Sequence, residues 1–512
     1  MHRWKLGLVV LGGLGVLWLP QAPAQEAESN EDLLGGFEGA VSTEDLLGGF
    51  GEPEDQAGED LLGGFDAEAP EAQRRSAGSW KPPALSGSFG LDVSWAYAHE
   101  APTSRTSPDW RGLRKARSFF QLRWDEKHGG VRVVLEGKAS RDDASAPLEA
   151  DVLPETPFDW RAEYVQARRQ EEQEVELREA FLEFSPLETL DLRLGRQINV
   201  WGMLDSLTLV DVLNPRDNRE PGLVDLDDAR LPVWATRLDG YLEQVRIQVV
   251  ANHEVRFNKE PGFGNEYFYY PDPDNLTSLK NRVPLTEEEI PDHGGSSTEY
   301  GLSVKRSFSG WDVAGYYAEV FDDSPHLVGT FSGMQPLITA RKHARLNLRG
   351  AGASAVVESW LLKGEVAQTR GFRFFGSEQD FVRSAGALGV EYSGISNVQL
   401  GLEASLQRLE AFNDIPYRST GQPNASLLSE VLQSAWTWRQ DLLQQTLHLN
   451  VMALQVGASG EYGGSRRVGL EYDWADGLNV EGGLLLYQPG ESAYAQQLDD
   501  NDRLFAGLSY AF

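Results

Sequence analysis

Residues 86–98 read SGSFGLDVSWAYA, and the alternation in this stretch decides the fold. Phe89, Leu91, Val93, Trp95 and Tyr97 fall on one face, with Ser88, Gly90, Asp92, Ser94 and Ala96 on the other. Successive side chains of an extended chain point to opposite sides. Strict alternation therefore marks a strand between an apolar and a polar environment. Residues 503–512, RLFAGLSYAF, repeat the pattern, with Leu504, Ala506, Leu508, Tyr510 and Phe512 sharing a face.

Between these ends, comparable runs lie near 114–125, 129–140, 174–185, 188–197, 232–241, 244–253, 297–308 and 311–321. Others lie near 339–354, 357–370, 384–394, 397–409, 430–440, 442–456, 464–474 and 477–488. With the two terminal runs they predict an all-β chain, a transmembrane antiparallel β-barrel of about 18 strands, range 14–18. Very short connections (Glu126-Lys127-His128, Pro186-Leu187, Ser309-Gly310, Ala475-Asp476) alternate with long irregular ones. That alternation predicts tight periplasmic turns, long extracellular loops and both barrel ends in the periplasm. An alternating strand closed by Phe512 also resembles the C-terminal assembly signal of outer-membrane proteins. Glycine (53), tryptophan (14) and tyrosine (16) are plentiful, yet no later segment is apolar enough for a helical span. A barrel reconciles the two, because only every second strand residue meets lipid. With no cysteine, stability must come from a large core or a closed sheet. The formal charge of -32 argues against nucleic acid as a partner and leaves outer-membrane lipids as the surroundings.

The polar faces predict a charged lumen. Lys115, Arg117, Gln121 and Arg123 oppose Phe120, Leu122 and Trp124, with Phe119 the exception on the polar side. Glu179 and Glu183 oppose Ala180, Leu182 and Phe184, and Asp191 and Arg193 oppose Leu190, Leu192 and Leu194. Arg341, His343, Arg345, Asn347 and Arg349 share one parity, against Ala344, Leu346 and Leu348. A charged side chain facing mid-bilayer lipid costs roughly 2–4 kcal/mol, which assigns these rows to the lumen. They serve either a solute path with a basic field or a lattice of internal salt bridges, and the two are compatible.

The N-terminus reads differently. His2, Arg3 and Lys5 precede an apolar run from Leu6 to Leu19 and Ala22-Pro23-Ala24, the parts of a secretory signal peptide over 1–24. Residues 25–73 carry fifteen acidic and no basic residues, and 25–84 reads as a disordered acidic periplasmic tail and linker. Within it EDLLGGF occurs three times, starting at Glu31, Glu44 and Glu59. Each copy offers an apolar pair and an aromatic anchor: Leu33, Leu34 and Phe37; Leu46, Leu47 and Phe50; Leu61, Leu62 and Phe65. Three linked docking peptides would raise avidity for a periplasmic or inner-membrane transporter component. Duplication within a neutral spacer is the bland alternative.

The most distinctive stretch, 195–233, reads GRQINVWGMLDSLTLVDVLNPRDNREPGLVDLDDARLPV. Its Asn-Pro, Pro-Gly and Leu-Pro turns exclude a regular strand, while Trp201, Met203, Leu204, Leu207, Leu209, Val210, Val212 and Leu213 exceed what a solvated loop needs. We expect a folded insertion over 198–231 at the mouth or lumen of a barrel spanning 85–512, or else a compact extracellular cap. Arg196, Asp205, Asp211, Asn214 and Arg216 are candidates to satisfy its polar groups. The ordered set Arg196-Gln197, Trp201-Gly202, Asn214-Pro215 and Pro221-Gly222 resembles the domain of unknown function 1302 family of proteobacterial outer-membrane proteins. That resemblance implies a large porin-like barrel associated with inner-membrane exporters, and no catalytic residues. No GxSxG motif occurs, and the eight histidines lack zinc-site spacing, so no enzyme activity, metal or cofactor is expected. Acidic loop clusters at Asp272 and Asp274, Glu287 to Glu289, and Asp322 and Asp323 read as solvated charge or weak divalent-cation sites. The expected function is an outer-membrane conduit for a lipidic or hydrophobic substrate. A general diffusion porin and an envelope-linking or adhesion anchor are the alternatives.

Overall fold

The computed structural model describes residues 85–102, 109–144, 171–224, 226–262, 265–268, 288–292, 294–332, 335–419, 424 and 426–512. The signal-peptide, tail and repeat assignments lie outside these residues, as do Asp272, Asp274 and Glu287.

The wall begins with β1 (Leu85–Ala96), β2 (Gly112–His128), β3 (Val131–Asp142), β4 (Gln173–Leu187) and β5 (Leu190–Gln197). It continues through β6 (Val233–Leu242), β7 (Val245–Asn252), β9 (Glu299–Phe308) and β10 (Trp311–Phe321). Then come β13 (Arg345–Val357), β14 (Trp360–Phe372), β15 (Phe381–Ile395), β16 (Val398–Leu409) and β17 (Glu430–Leu442). The last four are β18 (Leu447–Val456), β19 (Gly463–Ala475), β20 (Leu478–Gln488) and β21 (Arg503–Ala511). β1 pairs antiparallel with both β2 and β21, which closes an 18-stranded sheet. Gly87 and Phe512 exchange two backbone hydrogen bonds of 2.9 Å at the closure. Closure joins the first wall strand to the last, so the sheet has no free end strand. Three strands stand apart: β8 (Glu288–Glu289), β11 (His326–Ser332) and β12 (Gln335–Lys342) form a small separate sheet.

Tight turns such as Gly129-Gly130, Glu243-Gln244, Ser309-Gly310 and Asp476-Gly477 gather at one end with both barrel termini. Long connections occupy the other end. Outward parity is apolar along the wall, with Leu91, Phe120, Leu135, Leu182, Val249, Leu302, Val366, Leu388 and Leu470 exposed. Aromatic belts flank this band. Trp311, Trp360, Trp438 and Trp474 mark the tight-turn side, and Trp95, Trp234, Tyr300 and Tyr317 the other, as at membrane interfaces. Phe308 stacks on Trp311 at 4.0 Å within the first belt.

The interior has two halves. Toward the tight turns, inward positions are charged. Toward the long connections they are apolar: Tyr316, Ala318 and Val320 of β10, Leu346 and Leu348 of β13, Phe372, Phe381 and Leu409. These bury against Trp201, Val210 and Leu213 from the 198–231 segment and against Phe374, Ile415 and Leu427 from other connections.

This packing corrects the basic row expected at 341–349. Arg341 lies on β12, outside the barrel sheet, 3.1 Å from Glu288. His343 and Ala344 interrupt the chain before β13. Arg345 reaches Glu319 at 3.2 Å and the Thr298 carbonyl at 2.6 Å, and Arg349 is exposed opposite Tyr317. Their parity is opposite to that of buried Leu346 and Leu348. Apolar side chains from the lumen cover the inside of this wall, so Leu turns inward and Arg outward at the interfacial level.

Candidate functional site: a loop braced across the lumen

Gly195, at φ 134°, lies near the end of β5, where a Cβ would come 2.1 Å from the Ala180 carbonyl. Gln197 is fully buried and donates to the Ala235 carbonyl at 3.0 Å. From there the chain crosses the lumen. The Trp201 indole donates to Gln248 Oε1 of β7 at 2.6 Å, and its ring packs 5.5 Å from Tyr316 of β10. Gly301 permits this approach, because a Cβ there would stand 2.7 Å from the Trp201 ring.

The tip, 203–209, is held by two carboxylates from the far wall. Glu365 of β14 accepts from the amides of Met203, Leu204 (3.2 Å) and Leu209 (2.7 Å) and from the Thr208 hydroxyl (3.2 Å). Glu403 of β16 accepts from the amides of Asp205 (2.7 Å), Ser206 (2.9 Å) and Leu207 (2.8 Å). Lys363 adds an ion pair with Asp205 at 2.9 Å. A short loop tip exposes consecutive N–H groups, and buried N–H groups must be paired. Two wall carboxylates meet that demand.

The return limb is pinned as firmly. Asn214 accepts from the Asn199 amide and donates to the Leu231 carbonyl, both at 2.7 Å, while the Pro215 carbonyl accepts from the Leu231 amide at 2.7 Å. Asn252 of β7 donates to the Leu213 carbonyl at 2.8 Å, and the Pro221 carbonyl accepts from Tyr487 of β20 at 2.6 Å. Gly222, at φ 78°, turns the chain there. Glu220 sits between Lys115 (2.8 Å) and Arg117 (3.0 Å to Nη1) of β2. Burial works to raise the Glu220 carboxyl, but Arg117 and Lys115 outweigh it and hold it far below the ordinary range.

Below the loop, toward the tight turns, lies a cavity of ≈ 2110 Å³. Its walls carry Arg117, Arg123, Glu136, Glu179, Arg193 and Arg237. Most of these charges pair: Arg123 with Glu136 at 2.5 Å and Glu179 at 2.9 Å, and Arg193 with Glu183 at 2.5 Å. Its roof includes Ile198, Val200, Met203 and Leu204 from the loop, with Leu223 and Val224. The cavity thus joins a charged wall to an apolar ceiling.

The structure gathers Lys115, Arg117, Arg123 and Glu179 at this cavity, places Glu183 beside it on Arg193, and brings Trp201, Gly202, Asn214, Pro215, Pro221 and Gly222 into the loop above. Arg196 ends apart, beside Glu254 and donating to the Leu177 carbonyl at 2.8 Å. Sequence reading missed Glu365, Glu403 and Glu220. The local signal for the first two is a lone glutamate at inward parity, two residues after Lys363 in one strand and four after Gln399 in the other.

No curated protein matches the chain. Among solved structures it is similar to OpdK of Pseudomonas aeruginosa with vanillate, at 11% identity and TM-score 0.45, over 84% of this chain and 98% of that one. It is similar to OccAB2 of Acinetobacter baumannii (8%, 0.45; 84% and 97%) and to Salmonella typhi OmpF in complex with daunomycin (10%, 0.38; 84% and 97%). The match to a family model is broader in meaning: residues 113–512 fit the family described as protein of unknown function, DUF1302. The chain is an outer-membrane β-barrel, and it belongs to the DUF1302 family.

Proposed function

We propose that this barrel is a conduit for a hydrophobic or amphiphilic substrate, handed over from the periplasmic side by a transporter component that the EDLLGGF repeats recruit. The observation that carries this reading is the division of the lumen. A cavity of ≈ 2110 Å³ with charged walls and an apolar roof occupies the tight-turn half, and a packed apolar core occupies the other. A general diffusion porin needs a continuous watery path, and side chains fill that path here. An adhesion anchor needs no cavity of this size.

The docking half of the reading rests on the threefold repeat in the sequence, where Leu-Leu and Phe recur within an otherwise solvated acidic segment. Two measurements test the two halves. In planar bilayers the purified barrel should show no steady single-channel conductance. A stable open level of nanosiemens size would return it to the porins. In cells, crosslinking with the native tail should recover envelope proteins that are lost when Phe37, Phe50 and Phe65 are all replaced by Ala. Recovery of the same set from both would remove the docking role.

A further inference from the structure

The strands do not all reach the same height. β4 pairs with β3 from Gln173 to Phe184, but with β5 only from Ala180 onward. Seven wall residues, 173–179, therefore have a strand partner on one side alone, an overhang of roughly 24 Å at about 3.4 Å per residue. On the other side lies the segment 253–262, which follows β7. Among the described residues the two are joined by side chains instead of a backbone ladder. Glu176 binds Arg256, and it lies 3.5 Å from Lys259. Glu174 takes Lys259 at 2.5 Å and Arg219 at 2.7 Å. Glu171 accepts from the Gly262 amide at 3.2 Å.

The two sides of this seam differ. Outward, Val175 is 88% exposed and Leu177 46%, facing where lipid lies. Inward, Glu174, Glu176 and Arg219 line the large cavity, whose roof presents Val200, 57% exposed. The core above the loop fills the axial route, so the cavity meets the membrane most directly at this seam. Ion pairs can exchange partners, whereas a ladder of backbone bonds must break as a unit. An anionic headgroup can take the place of Glu174 or Glu176 on Arg256 and Lys259 while its acyl chain lies along Val175 outside or Val200 within.

Resting on the conduit reading above, we infer that the seam between β4 and residues 253–262 is a lateral passage through which a single-chain amphiphile with an anionic head moves between the cavity and the membrane. A photoreactive lysophosphatidate, incorporated in vesicles with the full-length protein, tests it. The chain has no cysteine, so Glu176→Cys with Arg256→Cys can be bridged by a short bifunctional thiol reagent and released by reductant. Wild type is the unbridged reference, and heat-modifiable migration on gels verifies folding of the variant. Labelling mapped by mass spectrometry should mark Val175, Leu177 and Val200 in wild type. Bridging should remove at least nine-tenths of the Val200 label while sparing Val175, and reduction should restore it. Val200 labelling that survives the bridge overturns the seam and leaves the conduit standing, since the amphiphile then arrives from the tight-turn end. Absence of Val200 labelling in wild type overturns both. An uncharged photoreactive monoacylglycerol should label Val200 at least tenfold less, and equal labelling overturns the role of the anionic head.

Discussion

Replacing Glu403 by Ala removes the acceptor for three consecutive amides at the loop tip, those of Asp205, Ser206 and Leu207, at 2.7–2.9 Å. Hydrogen bonds to a charged acceptor contribute about 1.5–3 kcal/mol each, and a buried N–H left unpaired costs about 1–3 kcal/mol. The gross penalty is therefore on the order of 3–9 kcal/mol. Asp205 and Ser206 border the cavity, so water can replace part of what is lost there, whereas Leu207 is buried and has no such recourse. A net local cost near 3 kcal/mol follows. Since about 1.4 kcal/mol is a factor of ten, opening of the tip becomes roughly a hundredfold more frequent. Hydrogen exchange read by mass spectrometry on the barrel in detergent measures this directly. Peptides covering 203–209 should exchange about a hundredfold faster in Glu403→Ala, while those of β10 and β13 stay unchanged. The double variant with Glu365→Ala should add transient conductance bursts in planar bilayers. Exchange at 205–207 within twofold of wild type would refute the reasoning, because the tip would then be held by something other than these carboxylates.

Three further outcomes are expected. Gly350→Leu places side-chain atoms where a Cβ alone would stand 2.6 Å from Val210 Cγ1, so overpacking of about 1–3 kcal/mol should lower the temperature of the heat-modifiable gel shift by several degrees. Glu220→Gln leaves Lys115 and Arg117 without their shared anion and should destabilise the loop by roughly 3–5 kcal/mol at pH 7. The Glu220 carboxyl is held low when folded, so its stabilisation is present above the ordinary glutamate value and fades as pH falls through the depressed one. The wild-type and variant exchange rates at 217–223 should therefore converge only in strong acid. Burial raises Glu171 from 4.5 to about 7, so the contact it makes with residues 262–265 is fully stabilising below pH 4.5 and weakens as pH rises through about 7. The protection factor of the Gly262 amide, its exchange corrected for the intrinsic base-catalysed rate, should fall between pH 6 and 8 in wild type and stay constant in Glu171→Gln.

The wall was legible because two solvents meet along it. Where lipid faces one side and charged cavity the other, as at Phe120 against Gln121 or Leu192 against Arg193, period two identifies both strand and side. Each of the eighteen runs read from sequence overlaps one strand of the barrel sheet, the run at 339–354 taking in part of β12 as well. Parity lost its meaning where the inserted loop replaces water. Leu346 and Leu348 pack on that loop and Arg349 turns out, so the same alternation carries the opposite sense. The run expected at 339–354 failed at His343 for a related reason: the hairpin of β11 and β12 alternates as a wall strand does, and nothing local tells them apart. Phe119, the exception on a polar face, lines the cavity with Lys138 5.7 Å from its ring. Glu365 and Glu403 were out of reach because their partners lie 156–198 residues away, and no spacing encodes a contact of that range.

The braced loop also dictates an order of events in assembly. Met203 meets Glu365 across 162 residues of chain, Asp205 meets Glu403 across 198, and Pro221 meets Tyr487 across 266. The segment 198–231 is finished before β14, β16 and β20, which supply these partners, have been made. A folded loop of this size cannot thread into a closed cylinder. β14, β16 and β20 must gather around it while β1 and β21 are still apart. The final zipping of Gly87 to Phe512 then seals a core already in place, and contacts this distant in sequence make that closure slow. A chain lacking the loop would keep all its strand pairings and lose the mandrel on which they are wound.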